Sequence, residues 1–223
     1  MENNLRSIIA KKVVPRGAYP TKITHTLLRT KTFDDEIKNI QILSHLNIPL
    51  QITCPTLFYP GCGSDLIFPL QYVQTIWPDL KTIHSIFVDI YGMQTLIETE
   101  LSELNIPFAK EENILIFYWN NLLVRLEIIT ANIFTTLNQI TQFDIYFERA
   151  FRIMKSAHDE YESIIISKLN HSGILISDSG FTQYTRNQKS PLEEIPLSEH
   201  TQNTTCDFQK LSAYQEMIIA IKK

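Results

Sequence analysis

Residues 57–65 read LFYPGCGSD, and this stretch decides how the rest of the chain is interpreted. A short apolar run leads into two glycines, Gly61 and Gly63, and a helical pattern follows them. Glycine is needed where the backbone takes a positive φ or lies against a ligand with no room for a Cβ atom. The chain has only six glycines in 223 residues. The stretch therefore predicts a strand, a tight glycine turn and a helix start, with a nucleotide-like ligand at the carboxyl end of the first strand of an α/β sheet.

The bulk composition is that of a globular protein with a sizeable core, because 44% of the residues are hydrophobic and 20% are charged. The length suits one large domain, or one domain with an N-terminal extension. The formal net charge is −4 and the isoelectric point is about 5.9. The chain as a whole therefore has no electrostatic attraction to nucleic acid or to an anionic membrane. We expect neither as a partner, and the sequence leaves the oligomeric state open.

The cysteines and histidines give no pattern of metal ligands. The three cysteines (Cys54, Cys62 and Cys206) have unrelated spacings, and no Cys-x-x-Cys pair or cysteine–histidine cluster with zinc spacing is present. We therefore expect no metal site. Free thiols suit a reducing compartment. The N-terminus lacks the apolar core of a secretory signal, and no apolar stretch is long enough to cross a bilayer. A cytoplasmic protein is expected.

The first 50 residues are predicted to pack on the main domain as an irregular arm followed by a helix. Thr32 can cap this helix, and Pro49 ends it. Its apolar stripe consists of Phe33, Ile37, Ile40, Leu43 and Leu46. We therefore divide the chain into residues 1–50, the arm and helix, and residues 51–223, the main domain.

Strands and helices alternate from residue 56 onwards, which is typical of α/β proteins. After the glycine turn, Ser64 or Asp65 is expected to cap a helix that ends near Ile76. The pattern then predicts further elements in chain order: a strand over 83–89, a helix over 92–104, a strand over 143–147, one long helix to about residue 169, and a strand over 174–177.

Three segments depart from this alternation. Two β-rich runs, 114–119 and 122–129, flank Asn120-Asn121, which favours a two-residue hairpin turn and antiparallel pairing. Residues 179–205 are polar and predict a lid or an unstructured excursion, with one helical turn near 192–195. Residues 208–221 predict two β-segments that close the sheet with an antiparallel pair.

From residue 56 to the C-terminus, the chain resembles the class I S-adenosylmethionine-dependent methyltransferases. The resemblance rests on the glycine turn after the first strand, Asp89 at the end of the second, the Phe143-Asp144 opening of a later strand, and the segment 173–178. It implies a Rossmann-like α/β sheet that is mostly parallel, with an antiparallel C-terminal strand pair and an extra antiparallel edge strand near residues 114–119. It also implies S-adenosylmethionine as the cofactor, S-adenosylhomocysteine (SAH) as the product, and methyl transfer to an unidentified small-molecule or protein acceptor.

The resemblance also implies which residues hold the cofactor. In that family the glycine turn wraps the methionine end, an acidic residue ending the second strand binds the ribose, and a residue after the third strand contacts adenine. The helix start after the turn presents N–H groups that suit a cofactor carboxylate. The cofactor-binding residues predicted in this way are Tyr59, Pro60, Gly61, Cys62, Gly63, Asp65, Asp89, Ile90 and Asn132. The residues predicted to position a substrate at the methyl-facing rim are Glu148, Arg149 and Asp178, and no catalytic residue is assigned.

The chain departs from the family pattern at two positions of the turn. Tyr59 stands where the family has an acidic residue, and Asp65 stands where it has a third glycine. The Tyr59 hydroxyl and the Asp65 carboxylate can replace the missing group from across the turn. These departures also favour an alternative, a catalytically inactive methyltransferase-like module whose polar segment 179–205 contacts a partner.

Several candidate residues have a second, structural interpretation. Asp89 can cap the next helix instead of binding a sugar, and Cys62 suits a small buried apolar residue better than a nucleophile. Glu148 and Arg149 can form an exposed ion pair. A nicotinamide site is disfavoured because Leu66 stands where its third glycine is needed, and no phosphate loop or nucleophile elbow is present.

Overall fold

The computed structural model describes residues 40–222 except for positions 47, 51, 179, 182–191 and 195–217. The described strands, in chain order, are β1 (Thr56–Pro60), β2 (Thr82–Asp89), β3 (Phe108–Glu111), β4 (Ile114–Trp119), β5 (Leu122–Thr130), β6 (Phe143–Glu148), β7 (Leu169–Ser177), β8 (Leu192–Glu194) and β9 (Ile218–Lys222). The described α-helices are α1 (Ile67–Ile76), α2 (Gln94–Glu103), α3 (Ile133–Thr136), α4 (Arg152–Ser156) and α5 (Tyr161–Lys168), and the 3₁₀ helices are Gln41–His45 and Leu137–Gln139.

All nine of these strands belong to one sheet, in the order β3-β4-β5-β2-β1-β6-β7-β9-β8. The five central strands, from β5 to β7, run parallel to one another. On one side β4 and then β3 continue the sheet antiparallel, and on the other side β9 and then β8 do the same. This arrangement confirms the predicted Rossmann-like sheet, which is mostly parallel and has an antiparallel C-terminal pair.

The central strands are apolar on both faces because helices cover the sheet from both sides. Every residue of β6 is buried. Side chains alternate between the faces of a strand, so Leu57 and Tyr59 belong to one buried cluster and Phe58 belongs to the other. Helices α1 and α2 contribute to the first cluster, and α5 contributes to the second.

The centre of the sheet contains a topological switch point. From β1 the chain moves to β2 on one side, while β6 pairs with β1 on the other side. The loops that leave β1 and β6 therefore diverge, and a crevice opens between them at the carboxyl ends of the strands. This crevice is where open α/β sheets hold their ligands.

The antiparallel strand predicted near residues 114–119 is confirmed as β4, and Asn120 takes the left-handed conformation expected of its hairpin turn, with φ 52°. One further strand, which the sequence did not predict, lies outside it. β3 pairs with β4 and forms the edge of the sheet. Three of its four residues are exposed, so β3 lacks the apolar run by which a strand is recognised.

The prediction of one long helix up to residue 169 is wrong. The structure has two short helices, α4 and α5, with a turn between them in which the Tyr161 N–H donates to the carbonyl of His158. The side chain of Lys155 on α4 is buried and donates to Glu148 at the end of β6. This contact fixes α4 against the end of the sheet, and the chain must turn before α5 can run along the face.

The helical turn predicted near residues 192–195 is also wrong, because the backbone of Leu192–Glu194 is strand β8 and pairs with β9. β9 confirms the C-terminal antiparallel strand, whereas residues 208–217 lie outside the described residues. Residues 1–39 also lie outside the described residues, and so does the polar segment 179–205 apart from residues 180, 181 and 192–194. The described end of the predicted N-terminal helix, Gln41–His45, is a 3₁₀ helix. The division into residues 1–50 and 51–223 stays a prediction.

Among the helices that the structure describes, none combines the length and the apolar character needed to cross a bilayer.

Candidate functional site

The glycine turn joins β1 to α1, and both of its glycines are left-handed, with φ 58° at Gly61 and 55° at Gly63. Three hydrogen bonds tie the turn to β2, one of them from the Cys62 N–H to the carbonyl of Val88 at 3.5 Å. The Gly61 N–H donates to the carbonyl of Val88 at 2.8 Å, and the Gly63 N–H donates to Oδ2 of Asp89 at 2.8 Å. The positive φ values account for glycine at both positions. The turn and Asp89 therefore form one hydrogen-bonded unit.

The N–H groups around the turn are mostly used within the protein. Those that donate to a protein acceptor belong to Gly61, Cys62, Gly63, Asp65, Leu66 and Phe68. The helix start was expected to offer N–H groups to a ligand carboxylate. In the structure, fewer N–H groups are available to a ligand than the sequence suggested. The turn is therefore a weaker anion site than a glycine turn with free N–H groups.

The carboxylate of Asp89 accepts one hydrogen bond on each oxygen, from the N–H of Gly63 at 2.8 Å and from the N–H of Tyr91 at 2.9 Å. Burial raises the pKa of this carboxyl, and the N–H groups of Tyr91, Gly63 and Ile90 oppose the shift. A carboxylate has about four lone-pair positions. The structural interpretation, in which Asp89 caps the next helix, is wrong, because the N-cap residue of α2 is Met93 and the cap has no side-chain hydrogen bond. The Asp89 carboxylate instead holds the glycine turn and the turn after β2, and it still has capacity to accept hydrogen bonds from hydroxyl groups.

A cavity of about 420 Å³ lies beside Asp89 at the carboxyl edge of the sheet. Its volume falls within the range of small-molecule sites. Residues that follow four parallel strands line it: Gly61 after β1, Ile90 after β2, Asn132 after β5 and Phe151 after β6. The cavity therefore occupies the switch point, where the fold alone predicts a ligand.

The walls of the cavity are largely apolar and partly flat. Two of the lining residues, Ile90 and Tyr91, are 60% and 59% exposed, which is unusual for large apolar side chains. Among the other lining residues, the ring of Phe134 stacks on His158, with the ring centroids 3.5 Å apart and the planes 21° from parallel. Exposed apolar groups around a cavity mark a binding site, and these surfaces suit a planar ring.

Beneath the turn, away from the cavity, lies a buried polar group of three side chains. The Tyr59 hydroxyl donates to Oδ2 of Asp65 at 3.0 Å, and the Arg149 guanidinium lies 3.7 Å from the same oxygen. Arg149 also lies over the ring of Phe68, 3.7 Å from its centroid. Burial, and then the charge of Asp65, raises the pKa of Tyr59. The two residues that depart from the family pattern thus contact each other, and Arg149 balances the negative charge.

Cys62 is buried within the turn. Burial, and then the charges of Asp89 and Asp65, raises the pKa of its thiol well above the ordinary value. A thiol with a raised pKa is a poor nucleophile. This supports the interpretation of Cys62 as a small apolar residue.

At the end of β6, the Glu148 carboxylate is fully buried and belongs to an internal network. It accepts hydrogen bonds from Lys155 and Ser177, and from the Tyr146 hydroxyl at 2.6 Å. The exposed ion pair suggested by the sequence is therefore wrong for Glu148, because its partner Lys155 is also buried. The network connects β6, β7 and α4 at the base of the crevice.

Asp178 follows β7, and its side chain is hydrogen-bonded to the backbone after β6. Its Oδ2 accepts a hydrogen bond from the Ala150 N–H at 2.6 Å, and Ala150 has a left-handed φ of 60°. Burial raises the pKa of Asp178 to about 6. A left-handed alanine is strained, so this hydrogen bond helps to hold the loop in place.

No protein-family model matches the sequence, and no curated protein sequence matches it significantly. Among solved structures, the plantazolicin methyltransferase BpumL in complex with SAH is similar over 100% of this chain and 98% of that chain, with a TM-score of 0.51 and 9% identity. The chain has the class I methyltransferase fold.

Two further solved structures are similar over shorter parts of the chain. The SAH-bound methyltransferase PaMTH1 of Podospora anserina matches 79% of this chain and 68% of its own, with a TM-score of 0.42 and 14% identity. The protein PKMT2 of Rickettsia typhi, in complex with AdoHcy, matches 66% of this chain with a TM-score of 0.39 and 19% identity. The match covers 24% of PKMT2, so the chain spans about a quarter of its length.

Within the class I methyltransferase fold, the structure brings four of the predicted cofactor residues to the cavity: Gly61, Asp89, Ile90 and Asn132. The other five are buried and do not line it: Tyr59, Pro60, Cys62, Gly63 and Asp65. The predicted substrate residues Glu148, Arg149 and Asp178 are buried behind the loop after β6. The binding roles of all these residues stay predictions.

The sequence missed several residues that line the cavity of this fold, among them Phe134, Phe151, Met154 and His158. Met154 is 51% exposed and lines the cavity. One signal was present, since aromatic residues follow both β5 and β6 within a few positions. The known switch-point topology then places those loops at the crevice.

Across the described residues, no group of three or more histidine, cysteine, aspartate or glutamate side chains is arranged to hold a metal ion.

Proposed function

We propose that this protein is a methyltransferase that binds S-adenosylmethionine in the cavity beside Asp89 and transfers its methyl group to a small-molecule or protein acceptor. One observation carries the proposal: a carboxylate with spare hydrogen-bond capacity stands at the edge of an apolar cavity, at the switch point of the sheet. An adenosyl group needs this combination, since its ribose is a hydroxyl donor and its base is a flat ring.

Asp89 is the proposed ribose ligand. The two vicinal hydroxyls of a ribose can each donate to one carboxylate oxygen while the N–H groups of Gly63 and Tyr91 keep their bonds. The hydrogen bonds to the backbone also fix the direction of the carboxylate before a ligand arrives. A preorganised acceptor loses less entropy on binding than a mobile one.

The adenine ring is placed between Ile90 on one side and Ile133 with Phe134 on the other, all of which line the cavity. Asn132 caps α3, because its Oδ1 accepts the Phe134 N–H at 3.0 Å. This bond leaves the amide NH₂ group of Asn132 available, and an NH₂ group can donate to a ring nitrogen of adenine.

The chain's own contribution to the reaction is orientation and exclusion of water. When bound, S-adenosylmethionine supplies a methyl group on a sulfonium, which passes to a nucleophile in line with the carbon–sulfur bond. Phe151, Phe134 and Met154 surround the cavity with apolar surface. Alignment in a water-poor site accounts for a large part of such a rate enhancement, so no dedicated acid–base pair is required.

Calorimetric titration of the full chain with SAH tests the binding step. The wild type is expected to bind, and Ile90→Lys should weaken binding at least about tenfold, because a charged side chain replaces an apolar wall of the base site. Tyr118→Lys is the matched control, since Tyr118 is also a large exposed side chain, lies on β4 and does not line the cavity. An absence of heat at millimolar SAH, or equal effects of both substitutions, contradicts the proposal.

The alternative, a binding module that no longer transfers methyl groups, has one observation in its favour: the ring of Phe151 lies against Gly61. Tyr59 and Asp65 do not support it, because neither side chain enters the cavity. Radiolabelled methyl transfer into fractionated extracts of the source cells separates the two functions. If the protein is a methyltransferase, the wild type labels one fraction and the Ile90→Lys variant labels it less. If it is a binding module, it binds SAH and labels no fraction.

A further inference from the structure

The ring of Phe151 covers the part of the glycine turn that faces the cavity. A Cβ atom placed on Gly61 would lie 2.5 Å from Cδ2 and 2.7 Å from Cε2 of this ring. Real Cβ atoms do not approach other atoms so closely. Phe151 is 4% exposed although it lines the cavity. The ring therefore occupies the space directly above the α-carbon of Gly61.

Several contacts hold the ring in this place. Its plane is 19° from that of Phe134, with the ring centroids 6.2 Å apart, and Tyr161 lies 5.6 Å away on the same side of the sheet. The backbone immediately before it is fixed by the hydrogen bond from Ala150 to Asp178. A left-handed, hydrogen-bonded alanine next to the ring restricts the directions in which the side chain can point.

This placement divides the cavity into two parts. The part beside Asp89, Ile90 and Asn132 is open, and the part over Gly61 is filled by the protein's own ring. A ligand whose ribose binds Asp89 can contact the turn only at Gly61, because Cys62 and Gly63 are buried and do not line the cavity. An adenosine molecule ends at its ribose, whereas S-adenosylmethionine and SAH carry an amino-acid tail beyond it.

Building on the proposed function, we propose that Phe151 determines which adenosyl compounds bind: the cavity accepts the adenosine part directly, and the amino-acid tail binds only when the Phe151 ring leaves Gly61. The ring thereby lowers the apparent affinity for tailed compounds, because the apparent dissociation constant is the intrinsic one divided by the fraction of protein in the binding-competent conformation. Adenosine does not need that conformation and is not affected.

The experiment compares SAH with adenosine as ligands of the full chain, by calorimetry at one temperature and pH. Phe151→Leu removes the ring and keeps an apolar side chain, so the affinity for SAH should rise about threefold or more, while the affinity for adenosine stays within about twofold. Phe151→Met is a second variant, whose flexible side chain is similar in volume to leucine. The affinity for SAH is expected to rise in this variant as well.

Phe143→Leu is the matched control for loss of a buried ring. Phe143 lies on β6 in the same cluster as Phe151, stacks on Phe58 and does not line the cavity. It should lower stability without changing the ratio of the two affinities. A thermal unfolding curve for each variant ensures that folded proteins are compared.

The outcomes separate this proposal from the proposed function. Equal changes for SAH and adenosine in the Phe151 variants, or weaker SAH binding, overturn the role of Phe151 and leave the proposed function standing. If neither compound binds the wild type or the variants at millimolar concentration, the proposed function fails, and the role of Phe151 fails with it.

Discussion

The two sides of the glycine turn differ in almost every respect. Beneath it, Tyr59, Asp65 and Arg149 are buried and contact one another. Above it, the cavity exposes the carboxylate of Asp89 and apolar side chains such as Ile90. The lower side is closed and polar, and the upper side is open and mostly apolar.

This difference shows what the departures from the family pattern affect. Both unusual residues of the turn, Tyr59 and Asp65, belong to the lower side and do not line the cavity. They change the contacts between side chains within the turn. We therefore expect changes below the turn to alter the free energy of unfolding, and changes above it to alter ligand affinity.

The largest expected effect lies below the turn. Arg149→Met leaves the Asp65 carboxylate buried without its cation, which typically costs about 3–5 kcal/mol. Urea unfolding at neutral pH should show this loss, while SAH affinity stays within about threefold of the wild type. Adding Asp65→Asn to the same protein should recover part of the loss. A small change in stability combined with a large loss of SAH affinity would show that the two sides are not separate.

Asp178 sharpens the comparison through pH. Burial raises the pKa of its carboxyl from 3.8 to about 6, and the charge of Glu148 adds to this, while the Ala150 N–H, Arg149 and Lys155 oppose it. The native state thus holds the proton more tightly than the unfolded state. The protonated Asp178 therefore contributes to the free energy of unfolding. This contribution is fully present below pH 3.8 and is lost as the pH rises through about 6.

Asp178→Asn removes this titration and keeps an oxygen that can accept the Ala150 N–H. At about 1.36 kcal/mol per pKa unit, the stability of the variant relative to the wild type should increase by about 3 kcal/mol between pH 3 and pH 7. Urea unfolding of both proteins across that range provides the measurement. A difference that does not vary with pH would mean that Asp178 keeps an ordinary pKa in the folded protein.

On the upper side, Asp89→Ala should weaken SAH binding about 100-fold, or about 2.7 kcal/mol, because hydrogen bonds to a charged group are worth about 1.5–3 kcal/mol. Asp89→Asn keeps an acceptor for the Gly63 N–H and should lose about tenfold. Calorimetry of the two variants separates the role of Asp89 in sugar binding from its hydrogen bonds to the N–H groups of Gly63 and Tyr91. If Asp89→Asn binds SAH as tightly as the wild type, the charge has no part in ligand binding.

Much of the fold could be predicted because it depends on local signals. The glycines at 61 and 63 stand where a positive φ is needed, and the apolar runs of β1, β2 and β6 mark buried parallel strands. β3 and β8 were missed because their sequences, FAKE and LEE, carry charge and no apolar run. Pairing with a neighbouring strand stabilises them, and single-sequence patterns do not contain that information.

The candidate site was predictable in part for the same reason. Asp89 ends a recognisable strand, and Ile90 directly follows it. The mutual contact of Tyr59 and Asp65 was not predicted, although the two residues lie on either side of one turn. Phe151 was missed because its contact with Gly61 joins segments far apart in the chain. The buried pair of Glu148 and Lys155 was missed as well, because burial of a charge depends on packing around it.

A crystal structure of the full chain grown with millimolar SAH tests the central claim most directly. We predict ribose hydroxyls within hydrogen-bond distance of both Asp89 oxygens, the adenine ring between Ile90 and Ile133, and the Phe151 ring displaced from Gly61. Density for SAH at another place, or a cavity beside Asp89 without ligand at that concentration, would contradict the account.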